Sequence, residues 1–61
     1  MSTTDELRTQ MENYLAENEK FTDKGVKASA TRARKALQEM GKLVKARRKE
    51  IIEEKAALTN S

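Results

Sequence analysis

Two segments of the chain carry apolar residues at helical spacing. In the first segment, intervals of four, three, four and three residues separate Leu7, Met11, Tyr14, Asn18 and Phe21, with Leu15 beside them. In the second, the apolar stripe comprises Val26, Ala30, Ala33, Leu37, Met40, Val44 and Ile51, and Arg47 interrupts it. Such intervals place residues on one side of an α-helix, so both segments are predicted to be amphipathic helices.

The ends of these helices are marked by local signals. Thr3 and Glu6 stand in the S/T-x-x-E relation of a capping box, which predicts that helix 1 begins there. Gly25 can adopt the left-handed conformation that closes a helix. We therefore predict one helical domain over residues 1–61, with helix 1 at about 4–22, a turn at 23–26, helix 2 at about 27–57 and a frayed C-terminus. Gly41, inside helix 2, leaves open whether that helix is kinked.

The unequal lengths of the two helices predict self-association. Helix 1 would be about 28 Å long and helix 2 about 45 Å, so a hairpin leaves residues from about 46 onward uncovered. That overhang includes Ile51, Ile52 and Leu58. The expected fold is all-α, a helical hairpin that dimerises into an antiparallel four-helix or coiled-coil assembly. Asn18 either sets the register of this packing or lies at a solvated helix end.

The composition excludes several classes of function. The chain has 61 residues, of which 38% are charged and 36% hydrophobic, with no Pro, Cys or His. Without Cys or His it lacks thiolate chemistry, the commonest metal ligand and the usual general base, so we expect no enzyme, no cofactor and no small-molecule substrate. No apolar run approaches the length of a membrane span, which predicts a cytoplasmic protein without a membrane partner.

The charges divide unevenly along the chain. Residues 1–23 carry six acids and two bases, a balance of −4, whereas residues 24–61 carry eleven bases and four acids, a balance of +7. Residues 24–49 contain one acid, Glu39, and ten bases, which are the candidate DNA-binding residues: Lys24, Lys27, Arg32, Arg34, Lys35, Lys42, Lys45, Arg47, Arg48 and Lys49. Seven of them (Lys24, Lys27, Arg34, Lys35, Lys42, Lys45 and Lys49) fall opposite the apolar stripe. Arg32 lies at the margin of this face, and Arg47 and Arg48 flank the stripe.

A continuous cationic face predicts binding to a polyanion. Duplex DNA carries one charge about every 1.7 Å of its axis, so a rod with regularly spaced cations displaces many counterions. Lysines contact phosphates as point charges, which predicts little sequence specificity. The two aromatic residues, Tyr14 and Phe21, belong to the apolar stripe, and this favours double-stranded over single-stranded DNA. An RNA-binding hairpin dimer and a protein assembly module remain alternatives, as does a face that only confers solubility.

Residues 19–51 resemble a known family. The segment EKF at 19–21, followed by KGVKASATRARKALQEMGKLVKARRKEI at 24–51, is similar to the bacterial linker-histone-like proteins of the chlamydial type. The resemblance is to the short version of that family, without the tail rich in Lys, Ala and Pro. It implies a nucleoid-associated protein that binds and compacts DNA without catalysis. The chain departs from the family at Val26 and Ser29, where other members tend to have a small polar residue and a glycine.

Overall fold

The computed structural model describes residues 2–60 and consists of two antiparallel helices. Helix α1 spans Thr3–Lys24 and helix α2 spans Lys27–Asn60, with 22 and 34 residues respectively. The two helices pack along the length of α1 into a rod of 53 × 17 × 14 Å. The prediction of an all-α hairpin with a short and a long helix is confirmed. Helix α2 continues through Gly41 without interruption.

Both ends of α1 have specific caps. The predicted capping box of Thr3 and Glu6 is wrong: Ser2 is the cap, with an extended backbone and a side-chain oxygen that accepts a hydrogen bond from the Asp5 N–H at 3.1 Å. A cap must lie outside the helix, and Thr3 is already its first residue. At the other end Gly25 has φ 67° and ψ 26°, and its N–H donates to the Phe21 carbonyl at 3.0 Å. The predicted role of this glycine is confirmed.

The two helices meet along a seam whose residues alternate at intervals of four and three. The least exposed positions of α1 on this side are Thr3, Leu7, Gln10, Tyr14 and Glu17, and those of α2 are Ser29, Ala33, Ala36, Met40, Leu43, Arg47 and Glu50. This spacing is typical of helices that pair in the manner of a coiled coil. Near the turn the α2 side of the seam consists of small residues, with Ser29, Ala33 and Ala36 exposed by 0, 6 and 5%. Small side chains allow the helices to approach closely there.

The predicted apolar stripe of α2 coincides with this seam only in part: Ala33 and Met40 lie in the seam. Leu37, Val44 and Ile51 remain 45, 45 and 49% exposed, because they lie beside the seam and not within it. On α1, Met11 and Leu15 are likewise 46 and 56% exposed. The prediction fails for these exposed residues because the seam also contains polar residues that bond to one another, which a search for apolar residues does not find.

The overhang of α2 begins later than predicted. Thr3 Oγ1 donates a hydrogen bond to Glu50 Oε2 at 2.5 Å, so α1 covers α2 as far as residue 50 and not only to about 46. The difference arises because α1 has 22 residues, about three more than the sequence predicts. Residues 51–59 are exposed.

Candidate nucleic-acid interface

The side of α2 that faces away from α1 carries a continuous row of cations. We define the basic strip as the seven exposed residues on this side: Lys27, Arg34, Lys35, Lys42, Lys45, Arg48 and Lys49. It differs from the predicted face by one exchange, since Lys24 belongs to α1 and Arg48, predicted to flank the stripe, is exposed beside Lys49. Their positions on the helix are centred opposite the seam, since residues such as Ala33, Ala36 and Met40 turn the other way. From Lys27 to Lys49 the strip is about 33 Å long at the usual helical rise.

Acidic residues interrupt this strip very little. Within the described residues, only Lys42 of the strip forms an ion pair, with Lys42 Nζ 3.6 Å from Glu39 Oε1. The two side chains are 69 and 41% exposed, and an exposed pair of this kind is weak and screened by salt. The strip is therefore a region of strongly positive potential.

The other three candidate residues lie outside the strip. Lys24 is exposed in the last turn of α1, where its cation complements the negative end of the helix dipole. Arg32 reaches α1, and Arg47 lies in the seam with a side chain that is 30% exposed. The structure thus groups seven of the ten predicted cations on one surface and engages two others with carboxylates.

Arg32 connects the basic helix to the acidic helix near the turn. Its Nε donates to Glu17 Oε2 at 2.9 Å, and its Nη2 donates to the Ser29 hydroxyl at 3.2 Å. The Glu17 side chain is only 18% exposed. The hydrogen bond from Arg32, followed by one from the buried Ser29, lowers the pKa of Glu17 from its ordinary value.

A second polar cluster closes the open end of the hairpin. Arg47 Nη1 donates to Glu50 Oε1 at 3.0 Å and to Glu54 Oε2 at 2.6 Å. These bonds raise the pKa of Arg47, while the bond from Thr3, followed by the one from Arg47, lowers the pKa of Glu50. The charge of Arg47 is thereby compensated by carboxylates of its own helix. Its position continues the alternating spacing of residues 29, 33, 36, 40, 43, 47 and 50, but no apolar pattern in the sequence marks it.

The polar residues between the cations add hydrogen-bonding groups to the outer face. A shallow depression on this face is lined by Thr31, Arg34, Lys35, Leu37 and Gln38. The hydroxyls of Thr9, Thr22 and Thr59 each donate to the carbonyl four residues earlier. Within the described chain Thr31 makes no such bond, so its hydroxyl is available to an external acceptor.

A comparison with models of protein families assigns the chain to one family. The family model for the histone H1-like protein Hc1 matches residues 1–57. The chain belongs to the Hc1 family. No curated protein and no solved structure matches it. Hc1 is a family of histone-like, DNA-binding proteins of chromatin and not a family of enzymes, which confirms the resemblance seen in the sequence.

The aromatic side chains of this Hc1-family chain lie away from the basic strip. Tyr14 lies in the seam, and Phe21 is 43% exposed at the turn, away from the basic strip. Bases of single strands commonly stack on aromatic side chains, and the strip has none. Neither helix, over the described residues, has the length and apolarity needed to cross a bilayer.

Proposed function

We propose that the chain binds double-stranded DNA with little sequence specificity, through the phosphates and by means of the basic strip. Membership of the Hc1 family supports the class of ligand. The observation that carries the assignment to these residues is the alignment of seven exposed cations on the side of α2 opposite the seam. We further propose that the chain acts as a homodimer on the nucleoid in the cytoplasm and compacts DNA by coating, bridging or bending it.

The dimensions of the strip suit a DNA duplex. Its length of about 33 Å is close to one turn of B-form DNA, about 34 to 36 Å. A strip of this length lies within reach of several phosphates at once. Lys24 at the turn adds a cation near one end, whereas Arg32 and Arg47 contribute less because carboxylates already bind them.

The chemistry of the strip predicts weak discrimination between sequences. Five of its seven cations are lysines, which contact phosphate as flexible point charges. Gln38 is the only amide among the outward-facing residues of the strip region, and amides are among the side chains that read bases by paired hydrogen bonds. Binding energy therefore comes mainly from counterion release.

Salt-dependent binding tests this proposal. Fluorescence anisotropy with unrelated labelled duplexes should give similar affinities for all sequences. If about six phosphates are neutralised, the logarithm of affinity falls against the logarithm of salt concentration with a slope of about −5. One strongly preferred sequence, or affinity independent of salt, would contradict the proposal.

Structured RNA carries the same phosphate charge, so a competition experiment decides between the two nucleic acids. The groove shapes of the two duplexes differ, and RNA adds the 2′-hydroxyl group. The proposal expects a labelled DNA duplex to resist displacement by an RNA hairpin of equal length. Displacement at a lower concentration of RNA than of unlabelled DNA would favour the RNA-binding alternative.

A further inference from the structure

One side of the hairpin carries five apolar side chains that the hairpin leaves about half exposed. This apolar face consists of Met11, Leu15, Leu37, Val44 and Ile51, which are between 45 and 56% exposed. On α2 its members recur every seven residues directly beside the seam. A polar groove lined by residues of both helices occupies the opposite side of the hairpin. The apolar residues of α1 and those of α2 both lie away from this groove, so they share one side of the hairpin.

The position of that groove shows on which side of the seam each residue of the apolar face lies. The groove is lined by Asn13 and Ala16 of α1 and by Lys35 and Glu39 of α2. On α1, Met11 and Leu15 flank the seam on the side away from Asn13 and Ala16. On α2, the stripe of Leu37, Val44 and Ile51 likewise flanks the seam on the side away from Glu39.

The two long edges of the apolar face have opposite charges. Beyond Leu15, helical geometry places Asp5, Glu12 and Glu19 along the α1 edge, at intervals of seven residues. Along the α2 edge the same geometry places Lys27, Arg34 and Arg48, with Gly41 in the remaining position of the series. Within the described residues, Glu12, Glu19, Arg34 and Arg48 form no ion pair. Arg8 also lies on the α1 edge, where its Nη1 is 3.4 Å from Asp5 Oδ1 of the same chain. With Glu12 and Glu19 unpaired, the face is apolar in the middle, net acidic on the α1 edge and basic on the α2 edge.

We propose that this face binds the same face of a second copy, about a two-fold axis parallel to the helices. That rotation lays α1 of each copy on α2 of the other and brings each acidic edge to a basic edge. A two-fold axis across the helices would instead bring basic edge to basic edge and acidic edge to acidic edge, which like charges disfavour. The charges of the edges therefore favour a second copy of the chain as the partner, and they favour the two-fold axis that is parallel to the helices.

The register of the hairpin identifies the residues that would meet. The bond from Thr3 to Glu50 shows which residues of α1 and α2 lie at the same position along the rod within one chain. A two-fold axis along the rod leaves this position unchanged, so the same residues face each other between the two copies. By that register Asp5 lies level with Arg48 and Glu19 lies level with Arg34 of the other copy. Each pair occurs twice in the dimer by symmetry.

Gly41 also fits this arrangement. A side-chain carbon built at this glycine would meet nothing within 4 Å in its own chain, so the hairpin does not require a glycine there. Glycine inside a helix is nevertheless unfavourable relative to alanine. At the edge of the apolar face, level with Glu12 of the second copy, the missing side chain leaves room for the partner's α1 to approach.

The arrangement also specifies how the dimer meets DNA, a consequence that rests on the proposed function. Arg34 and Arg48 are engaged at the edges, whereas Lys35, Lys42, Lys45 and Lys49 remain directed outward. In the four-helix assembly the two copies of α2 occupy opposite corners, so the two lysine surfaces face away from each other. The dimer then binds two separate duplexes and bridges them.

Sedimentation equilibrium of the full chain and two single variants tests the interface. Val44→Glu places a charge in the apolar face, whereas the control Ile52→Glu changes a 70% exposed residue of the overhang that is not a member of that face. The wild type and Ile52→Glu should be dimers, and Val44→Glu should dimerise at least tenfold more weakly. Equal dimerisation of the two variants, or a monomeric wild type, would overturn the proposal.

A charge exchange tests the axis and does not depend on how well Val44→Glu folds. Glu19→Arg and Arg34→Glu change exposed residues, and circular dichroism should show unchanged helicity. Each single variant should weaken the dimer, and the double variant should restore it. If the single variants dimerise like the wild type, or the double variant remains as weak as the singles, this axis is wrong.

Capture of a second duplex tests bridging. Beads carrying one duplex should retain a second, labelled duplex in the presence of the wild type. Val44→Glu should bind DNA in an anisotropy titration but lose this capture, and undiminished capture would overturn the bridging mode. A wild type that dimerises as described but binds no duplex would overturn the proposed function and bridging, while supporting the pairing of the apolar faces.

Discussion

Arg32 and Glu17 form the only ion pair between the two helices within the described residues, with Arg32 Nε 2.9 Å from Glu17 Oε2. The acidic first helix therefore engages one cation of α2 and leaves the basic strip facing solvent. This separation matters for the proposed function, because cations bound by acids of α1 would be compensated before any phosphate approached. The pair also joins α1 to α2 close to the turn.

Removing the Glu17 carboxylate should weaken the hairpin. In Glu17→Gln the Arg32 guanidinium loses its charged acceptor and the Ser29 hydroxyl loses an ionised partner, so the thermal midpoint should fall. Glu53→Gln is the matched control, because Glu53 is exposed in the overhang and forms no ion pair in the described chain. Thermal melts followed by circular dichroism make the comparison. An equal midpoint for the two variants would contradict the role of Glu17.

The stability of the hairpin should decrease in acid. The pKa values of Glu17 and Glu50 are both lowered from 4.5 by their hydrogen bonds, so the folded state holds these carboxylates ionised to lower pH than the unfolded state does. Their contribution is complete above about pH 5 and is lost as the pH falls from there through the folded-state pKa values.

Thermal midpoints between pH 7 and pH 3 measure this effect. The double variant Glu17→Gln with Glu50→Gln should show a shallower decline than the wild type over the acidic part of the range. If the two proteins declined in parallel, the carboxylates would make no special contribution to folding.

The turn should depend on the left-handed conformation of Gly25. A side chain at φ 67° is strained, so Gly25→Ala should lower the free energy of unfolding by about 1 kcal/mol. Asparagine tolerates this conformation better than alanine, and Gly25→Asn should lose less. Urea unfolding of the three proteins gives the values. A loss for asparagine as large as that for alanine would contradict this explanation.

Much of the fold follows from local signals in the sequence. Spacing at intervals of three and four residues predicts both helices, and Gly25 predicts where they separate. The outward direction of the basic strip also follows, because the apolar stripe and the true seam are neighbours on α2. A direction opposite one of them is nearly opposite the other.

The composition of the seam could not be predicted in the same way. Arg47 and Glu50 lie in the seam because they bond to each other and to Thr3, and such pairing depends on the register between the helices. A hydrophobic pattern contains no information about that register. For the same reason, the engagement of Arg32 by Glu17 was visible only once the two helices were placed side by side.

Removal of cations from the strip tests the central claim most directly. Lys35→Ala with Lys49→Ala removes two outward charges, and Arg8→Ala with Lys20→Ala removes two charges from α1 as the matched control. In anisotropy titrations on unrelated duplexes, the strip variant should bind all sequences more weakly, with a salt slope shallower by about 2, while the control retains the wild-type slope. Equal losses in the two variants, both still helical by circular dichroism, would show that net charge and not the basic strip binds DNA.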